Sequence, residues 1–161
     1  MSDIIIREIT KADNIAIAQV IRSVLIEFGV PKVGTAYEDE ALDMMYETYT
    51  LNNANYFVVV FNGNIIGGAG IAPLEGYDST VCELQKMYFL PIARGKGIGS
   101  KMMKICLQKA LELNYKKCYL ETMPYMKSAR KLYQKSGFID LNAPMGNTGH
   151  YSCSKWMIKE L

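Results

Sequence analysis

Residues 93–103 read ARGKGIGSKMM. Gly95, Gly97 and Gly99 alternate with larger residues, and the cations Arg94 and Lys96 sit among them. Upstream, VCELQKMYFLP (residues 81–91) has the character of a strand that Pro91 stops. Downstream, Met102, Met103, Cys106, Leu107, Ala110 and Leu111 recur at helical spacing, with Lys101, Lys104, Gln108, Lys109 and Glu112 on the other face. The stretch is therefore a strand-to-helix junction. A helix N-terminus carries unpaired N–H groups and a partial positive charge. Glycines before it adopt positive φ and let backbone approach a ligand closely. Three alternating glycines exceed what a tight turn needs. A phosphate cradle, with Arg94, Lys96 and Lys101 adding charge, is favoured over a plain turn with surface lysines.

Glycine spacing narrows the ligand. The P-loop needs G-x-x-x-x-G-K-[ST], whereas Gly99 is followed by Ser100 and then Lys101. The dinucleotide fingerprint needs G-x-G-x-x-G after a first parallel strand, and here the third glycine comes one residue early and follows a meander. Both nucleotide readings are demoted.

Working outward, DIIIREIT (residues 3–10) reads as a strand. Ile15, Ala18, Val20, Ile21, Val24, Leu25 and Phe28 predict a helix over 12–28, broken by Gly29 and Pro31. Ala41, Leu42, Met45 and Tyr49 predict a second helix over 37–49. NYFVVVF and NIIGGAGIAPL flank Asn62-Gly63-Asn64, a strong hairpin signal, and residues 81–91 continue the meander. After the glycine-rich junction and its helix, Asn114 suits a left-handed C-terminal position. KKCYLETM returns as a strand, KSARKLYQKSGF is a short helix closed by Gly137, and two strands bracket LNAPMGNTG. The predicted order is β-α-α-β-β-β-α-β-α-β-β, an α/β (α+β) fold with a central mixed sheet flanked by helices. The crossover through the glycine-rich junction places two parallel strands side by side.

The 161 residues fit a single domain over 1–161. A formal net charge of +2 argues against a general nucleic-acid binder. No apolar run reaches the ~18 residues of a membrane span, and the N-terminus has no signal-peptide pattern. Cys82, Cys106, Cys118 and Cys153 lie in apolar segments without a CxxC pair, which reads as reduced thiols of a cytoplasmic protein. One histidine, His150, supplies a metal site poorly, so no metal is expected.

RGKGIG, Arg94–Gly99, matches the [QR]-x-x-G-x-[GA] signature of the GNAT N-acetyltransferases. ELQKMYFLP resembles that family's fourth strand, and ARKLYQKSGF, Ala129–Phe138, resembles its A-x-x-x-Y-x-x-x-G-F helix. The element order matches across nearly the whole chain. The resemblance implies transfer of an acetyl group from acetyl-CoA (coenzyme A) to an amine. It implies that Arg94, Gly95, Lys96, Gly97, Ile98 and Gly99 cradle the pyrophosphate, with a hydroxyl from Ser100. It also implies splayed fourth and fifth strands, with the pantetheine arm pairing to the backbone of Met87, Tyr88 and Phe89 as an added strand. A strand-edge homodimer is a further expectation.

Amide formation requires a neutral amine, and an alkylammonium titrates near ~10; a carboxylate, directly or through water, can take the proton. Glu83 is the expected base. It lies in an apolar strand eleven residues before Arg94, a separation that some histone-acetylating members of the family share. A rim carboxylate or ion-pair partner is the alternative, and Glu121 is the second candidate base. By resemblance Tyr133 is the general acid for the thiolate, against a purely packing role, and Met87 or Tyr88 N–H meets the oxyanion. Many members carry an asparagine seven residues before that tyrosine; here the position is Met126. For the acceptor end, Glu38, Asp39 and Glu40 read as a solvated helix start rather than an attractor of cations. His150 reads as a surface histidine or an acceptor-site group, and Tyr37, Tyr125 and Tyr151 as candidate pocket walls. The acceptor, a small-molecule or protein amine, is not specified. A non-catalytic acyl-CoA sensor is the second function. It would bind CoA tightly without transfer, and the pairing of Glu83 with Tyr133 argues against it.

Overall fold

The computed structural model describes residues 3–124 and 126–161. Its seven strands are β1 (Ile4–Glu8), β2 (Asn55–Phe61), β3 (Asn64–Pro73), β4 (Val81–Phe89), β5 (Lys117–Thr122), β6 (Ile139–Leu141) and β7 (Lys155–Glu160). They form one sheet in the order β1-β2-β3-β4-β5-β7-β6. Only β4 and β5 pair in parallel. The crossover between them carries the glycine-rich junction and helix α3 (Ile98–Glu112), as the spacing predicts.

Strand alternation assigns the helices to faces. Tyr56 and Val58 of β2 point to one side and pack with α1 (Asn14–Glu27) and α2 (Met45–Tyr49). Phe57 and Val59 point to the other and pack with Met102, Met103 and Cys106 of α3 and Tyr133 of α4 (Lys127–Lys135). Asn62 and Gly63 take φ of 51° and 78° in the β2–β3 hairpin, and Asn114 ends α3 at 67°. Ile15 and Leu111, assigned to buried stripes by periodicity, are exposed.

The second helix departs from its expected form. Residues 36–49 break into the 3-10 turns Ala36–Glu38 and Glu40–Asp43, followed by the five-residue α2. Asp39 interrupts the run with extended backbone (φ −60°, ψ 124°). Its carboxylate is drawn inward to Lys86 and His150, a long-range pull that helical periodicity does not encode.

The sheet forks beside β4. Pairing of β4 with β5 ends at Glu83 opposite Tyr119, yet β4 runs on to Phe89. Just beyond Glu83, β4 carries one extra residue relative to β3, and Lys86 sits there at φ 49°. Such a bulge bends a strand and raises its twist, which turns β4 away from β5. The Tyr56 hydroxyl donates to Lys86 O at 2.7 Å and holds the turn. Gly67, Gly68 and Gly70 of β3 face this segment. A Cβ on Gly67 would meet the Phe89 ring at 2.4 Å, and one on Gly68 or Gly70 would meet the Tyr56 ring at 2.6 Å.

Candidate active site

A cavity of about 620 Å³ opens in the fork. Its walls come from the second half of β4, the end of β5, the glycine-rich junction and α4, with His150 and Cys153 of the β6–β7 loop closing one end.

The junction leaves backbone amides exposed at the start of α3. Gly95 and Gly97 take φ of 74° and 76°, and Gly97 caps α3 from the left-handed region. The first α-helical bond runs from Lys101 N–H to Gly97 O at 3.2 Å, so the amides of Ile98, Gly99 and Ser100 precede the ladder and are free to donate. Among the described residues, immediate chain neighbours aside, nothing lies within 4 Å of where a Cβ would stand on Gly95 or Gly97. Gly99 packs closely on α4, since a Cβ there would sit 3.1 Å from Leu132 Cδ2.

The cations behave differently from the sequence picture. The Arg94 guanidinium forks onto Glu27 at 2.7 and 2.8 Å, donates to Phe89 O, and lies 5.0 Å from the Phe28 ring centroid. It thereby ties the junction to α1 and to the end of β4. Lys96 lies 5.8 Å from the Phe61 ring centroid. Arg94, Gly95, Gly97, Ile98 and Gly99 line the cavity, whereas Lys96 and Ser100 do not.

Met87, Tyr88 and Phe89 all line the fork, but their amides are not equivalent. Leu90 N–H donates to Ile66 O at 2.8 Å, which identifies a bonded antiparallel pair. Two-residue alternation makes Tyr88 opposite Gly68 the next such pair, directing Tyr88 N–H to β3. The Met87 and Phe89 amides then face the open side that β5 has left, and the Arg94 contact with Phe89 O lies on that same edge.

Glu83 stands where the strands part and is 5% exposed. Burial raises its pKa to about 7; Gln85, donating from Nε2 at 2.7 Å, opposes the rise, and Glu121 adds to it. Tyr133 of α4 reaches the same cavity. Burial alone pushes its pKa to about 12, with no hydrogen bond from another described residue contributing. Glu121 also lines the cavity, with both oxygens engaged: Tyr119 Oη donates at 2.7 Å and Thr148 Oγ1 at 2.5 Å.

Asp39 and His150 are brought together across 111 residues of sequence. His150 Nε2 lies 2.8 Å from Asp39 Oδ2, and Lys86 Nζ reaches the same oxygen at 3.3 Å. Burial opposes the imidazolium, but the hydrogen bond and charge of Asp39 outweigh it and raise the His150 pKa. Burial likewise opposes the Asp39 carboxylate, and His150 and Lys86 prevail to lower its pKa. Asp39 is thus an internal anchor for the cavity end rather than a solvated helix start. Ser152 reinforces that closure by bonding Gly34 O and Val33 O, both at 2.9 Å.

Met126 lines the cavity where the family pattern has an asparagine. Tyr37 packs against the cations of Lys32 and Arg22, Tyr151 is 74% exposed, and Tyr125 lies outside the described residues. Lys86 and Gln85 were not picked out from sequence. GGAG inside β3 is the signal that points to them, because glycines within a strand mark bulges and close approaches.

Residues 21–138 match the model of the acetyltransferase (GNAT) family. The chain is 44% identical over 158 residues to YjgM of Escherichia coli K12, an uncharacterized N-acetyltransferase, covering 98% of this chain and 95% of that protein. Among solved structures, a GNAT-family acetyltransferase from Staphylococcus aureus Mu50 superposes with a TM-score of 0.87 at 21% identity, covering 98% of this chain and 99% of that one. Salmonella typhimurium yncA, solved with its cofactor acetyl-CoA, superposes with a TM-score of 0.78 at 20% identity, covering 98% and 94%. At those identities the structures speak to fold, while the family match and the YjgM relationship speak to descent. This chain belongs to the GNAT acetyltransferase family and is an acetyltransferase.

Proposed function

We propose that the protein moves an acetyl group from acetyl-CoA directly to a primary amine, with both substrates bound together. The observation that carries this reading is the convergence on one cavity of a buried carboxylate with a pKa of about 7, a buried tyrosine whose hydroxyl bonds no other described residue, and a glycine-rich helix start. The residues fit acetyl-CoA. Open space beside Gly95 and Gly97 admits a pyrophosphate to the first amides of α3, and the free amides of β4 offer the pantetheine arm an edge to pair with. Acetyl-CoA supplies an activated thioester.

Glu83 takes the proton of the entering ammonium, and a pKa of about 7 suits that task at neutral pH. The freed nitrogen attacks the thioester carbonyl carbon. Met87 N–H, rather than the sheet-bonded Tyr88 amide, meets the charge that develops on the carbonyl oxygen. As the carbon–sulfur bond breaks, Tyr133 gives its proton to the thiolate and recovers one from the amide nitrogen. Overall one amide forms, one thiol is released and one proton leaves through Glu83. Direct transfer fits the cysteines: burial pushes the Cys106 and Cys153 thiols up to about 12, which disfavours a thiolate nucleophile. Three buried free thiols also suit a reducing, cytoplasmic setting. No helix among the described residues is long and apolar enough to cross a membrane.

The test is acetyl-CoA-dependent CoA release across a panel of amines. With the best acceptor, Glu83→Gln and Tyr133→Phe each lose most activity; wild-type rates in both would overturn the assignment. Tight CoA binding without transfer to any amine, peptide or protein would favour a sensor.

A further inference from the structure

Behind the cavity wall, a chain of hydrogen bonds ends on Glu83. Tyr49 Oη donates to Gln85 Oε1 at 2.5 Å, and Gln85 Nε2 donates to Glu83 Oε1 at 2.7 Å. Gln85 and Glu83 line the cavity, whereas Tyr49 does not; it is 3% exposed and packs its ring on Tyr56 at 5.1 Å. We propose that Tyr49 and Gln85 are positioning residues that orient one side-chain amide so that the Glu83 carboxylate is held ionised and ready to accept the proton of the amine. This rests on Glu83 being the base.

The direction of the relay follows from the donor inventory. A glutamine amide presents a donor or an acceptor to its neighbour depending on which way it is turned. Lys86 Nζ lies 5.9 Å from the Tyr49 ring centroid, and its charge acts on the Tyr49 hydroxyl. An ammonium only donates, so the lone pairs of Tyr49 Oη face Lys86 and its proton turns to Gln85. That occupies the Gln85 carbonyl and leaves the NH₂ group for Glu83. An N–H donor favours a carboxylate over a carboxylic acid. Turned the other way, the amide would present its carbonyl, repel the carboxylate and favour the acid. The bulge at Lys86 completes the device, because it places the ammonium beside Tyr49 while Asp39, itself bonded to His150, holds it.

Other charged and titratable groups also face Glu83: Lys86 and Tyr88 on β4, Tyr119 and Glu121 on β5, His150 and Cys153 on the β6–β7 loop, with Asp39 and Tyr49 behind. Glu121 disfavours the carboxylate, and His150 and Lys86 favour it. Tyr49→Phe and Gln85→Leu alter none of the formal charges, so their effect on Glu83 isolates the hydrogen bonds.

The experiment is carboxyl ¹³C NMR titration of the full chain labelled at glutamate, with the Glu83 resonance assigned by its loss in Glu83→Gln. Tyr49→Phe keeps the ring and should raise the Glu83 pKa by about half a unit. Gln85→Leu removes the donor and should raise it by about one unit. The double variant should match Gln85→Leu alone, because Tyr49 acts only through Gln85. An unmoved or lowered pKa in Gln85→Leu overturns the relay, as does an additive double variant. Should Tyr49→Phe not fold, Gln85→Leu decides alone. The base assignment fails separately: if Glu83→Gln keeps the acidic limb of the kcat/KM–pH profile, Glu83 is not the base, whatever its titration shows.

Discussion

Glu83→Gln should separate stability from activity in a way that depends on pH. Burial holds the Glu83 pKa at about 7 against an ordinary 4.5. A carboxyl whose folded pKa is raised binds its proton more tightly in the folded state. Its contribution is therefore fully present below the unfolded pKa of 4.5 and is lost as pH rises through about 7. At 1.36 kcal/mol per pH unit, that gap makes the ionised form cost about 3 kcal/mol above pH 8. Glutamine has nearly the shape of the protonated acid and can still accept from Gln85 Nε2 through its carbonyl. The variant should match wild type near pH 4.5 and exceed it by about 3 kcal/mol at pH 8.5. For a chain of this size that is about 6–12 °C in Tm. The assay is urea denaturation of both proteins from pH 4.5 to 8.5, alongside CoA release with the best acceptor. Activity should fall throughout. Parallel denaturation free energies across that range would refute the buried-carboxylate account, and a variant less stable at pH 8.5 would reverse its sign.

Tyr133→Phe should lower kcat about a hundredfold, within the usual range for losing a general acid, and leave Tm within about 2 °C, because no hydrogen bond from a described residue acts on the hydroxyl. Steady-state kinetics and a thermal melt check both halves. Gly97→Glu should weaken CoA binding at least about tenfold by calorimetry while costing about 1–2 kcal/mol of stability for a side chain at φ 76°; a stability loss that matches the binding loss would return the junction to a plain turn. His150→Ala should remove stability in a bounded pH window. The raised His150 pKa makes that contribution present below its unfolded value of 6.5 and lost as pH climbs through the folded one, and the lowered Asp39 pKa makes its share fade as pH drops below 3.8 and through the folded value. Denaturation midpoints of the variant and wild type should converge at alkaline pH.

What could be read from the chain divides by range of interaction. The Asn62-Gly63 hairpin, the left-handed Asn114 and the glycine cradle each depend on backbone freedom within a few residues, and all three stand where their spacing puts them. Glu83 and Tyr133 were legible through motif separation, and one cavity holds both. The Arg94 side chain bonds Glu27, 67 residues away, a partner no local pattern announces. Asp39 shows the limit most clearly. Between two other acids and ahead of an apolar period, its neighbours describe a solvated helix start. Folding places Lys86 and His150 against it, and three groups that would each be costly to bury alone become mutually satisfied. Their gain exceeds a helical propensity worth only tenths of a kcal/mol per residue, so the helix breaks at Asp39 instead of continuing past it. The positions least legible in sequence are therefore those whose side chains meet across the fork, because their partners lie far away in the chain.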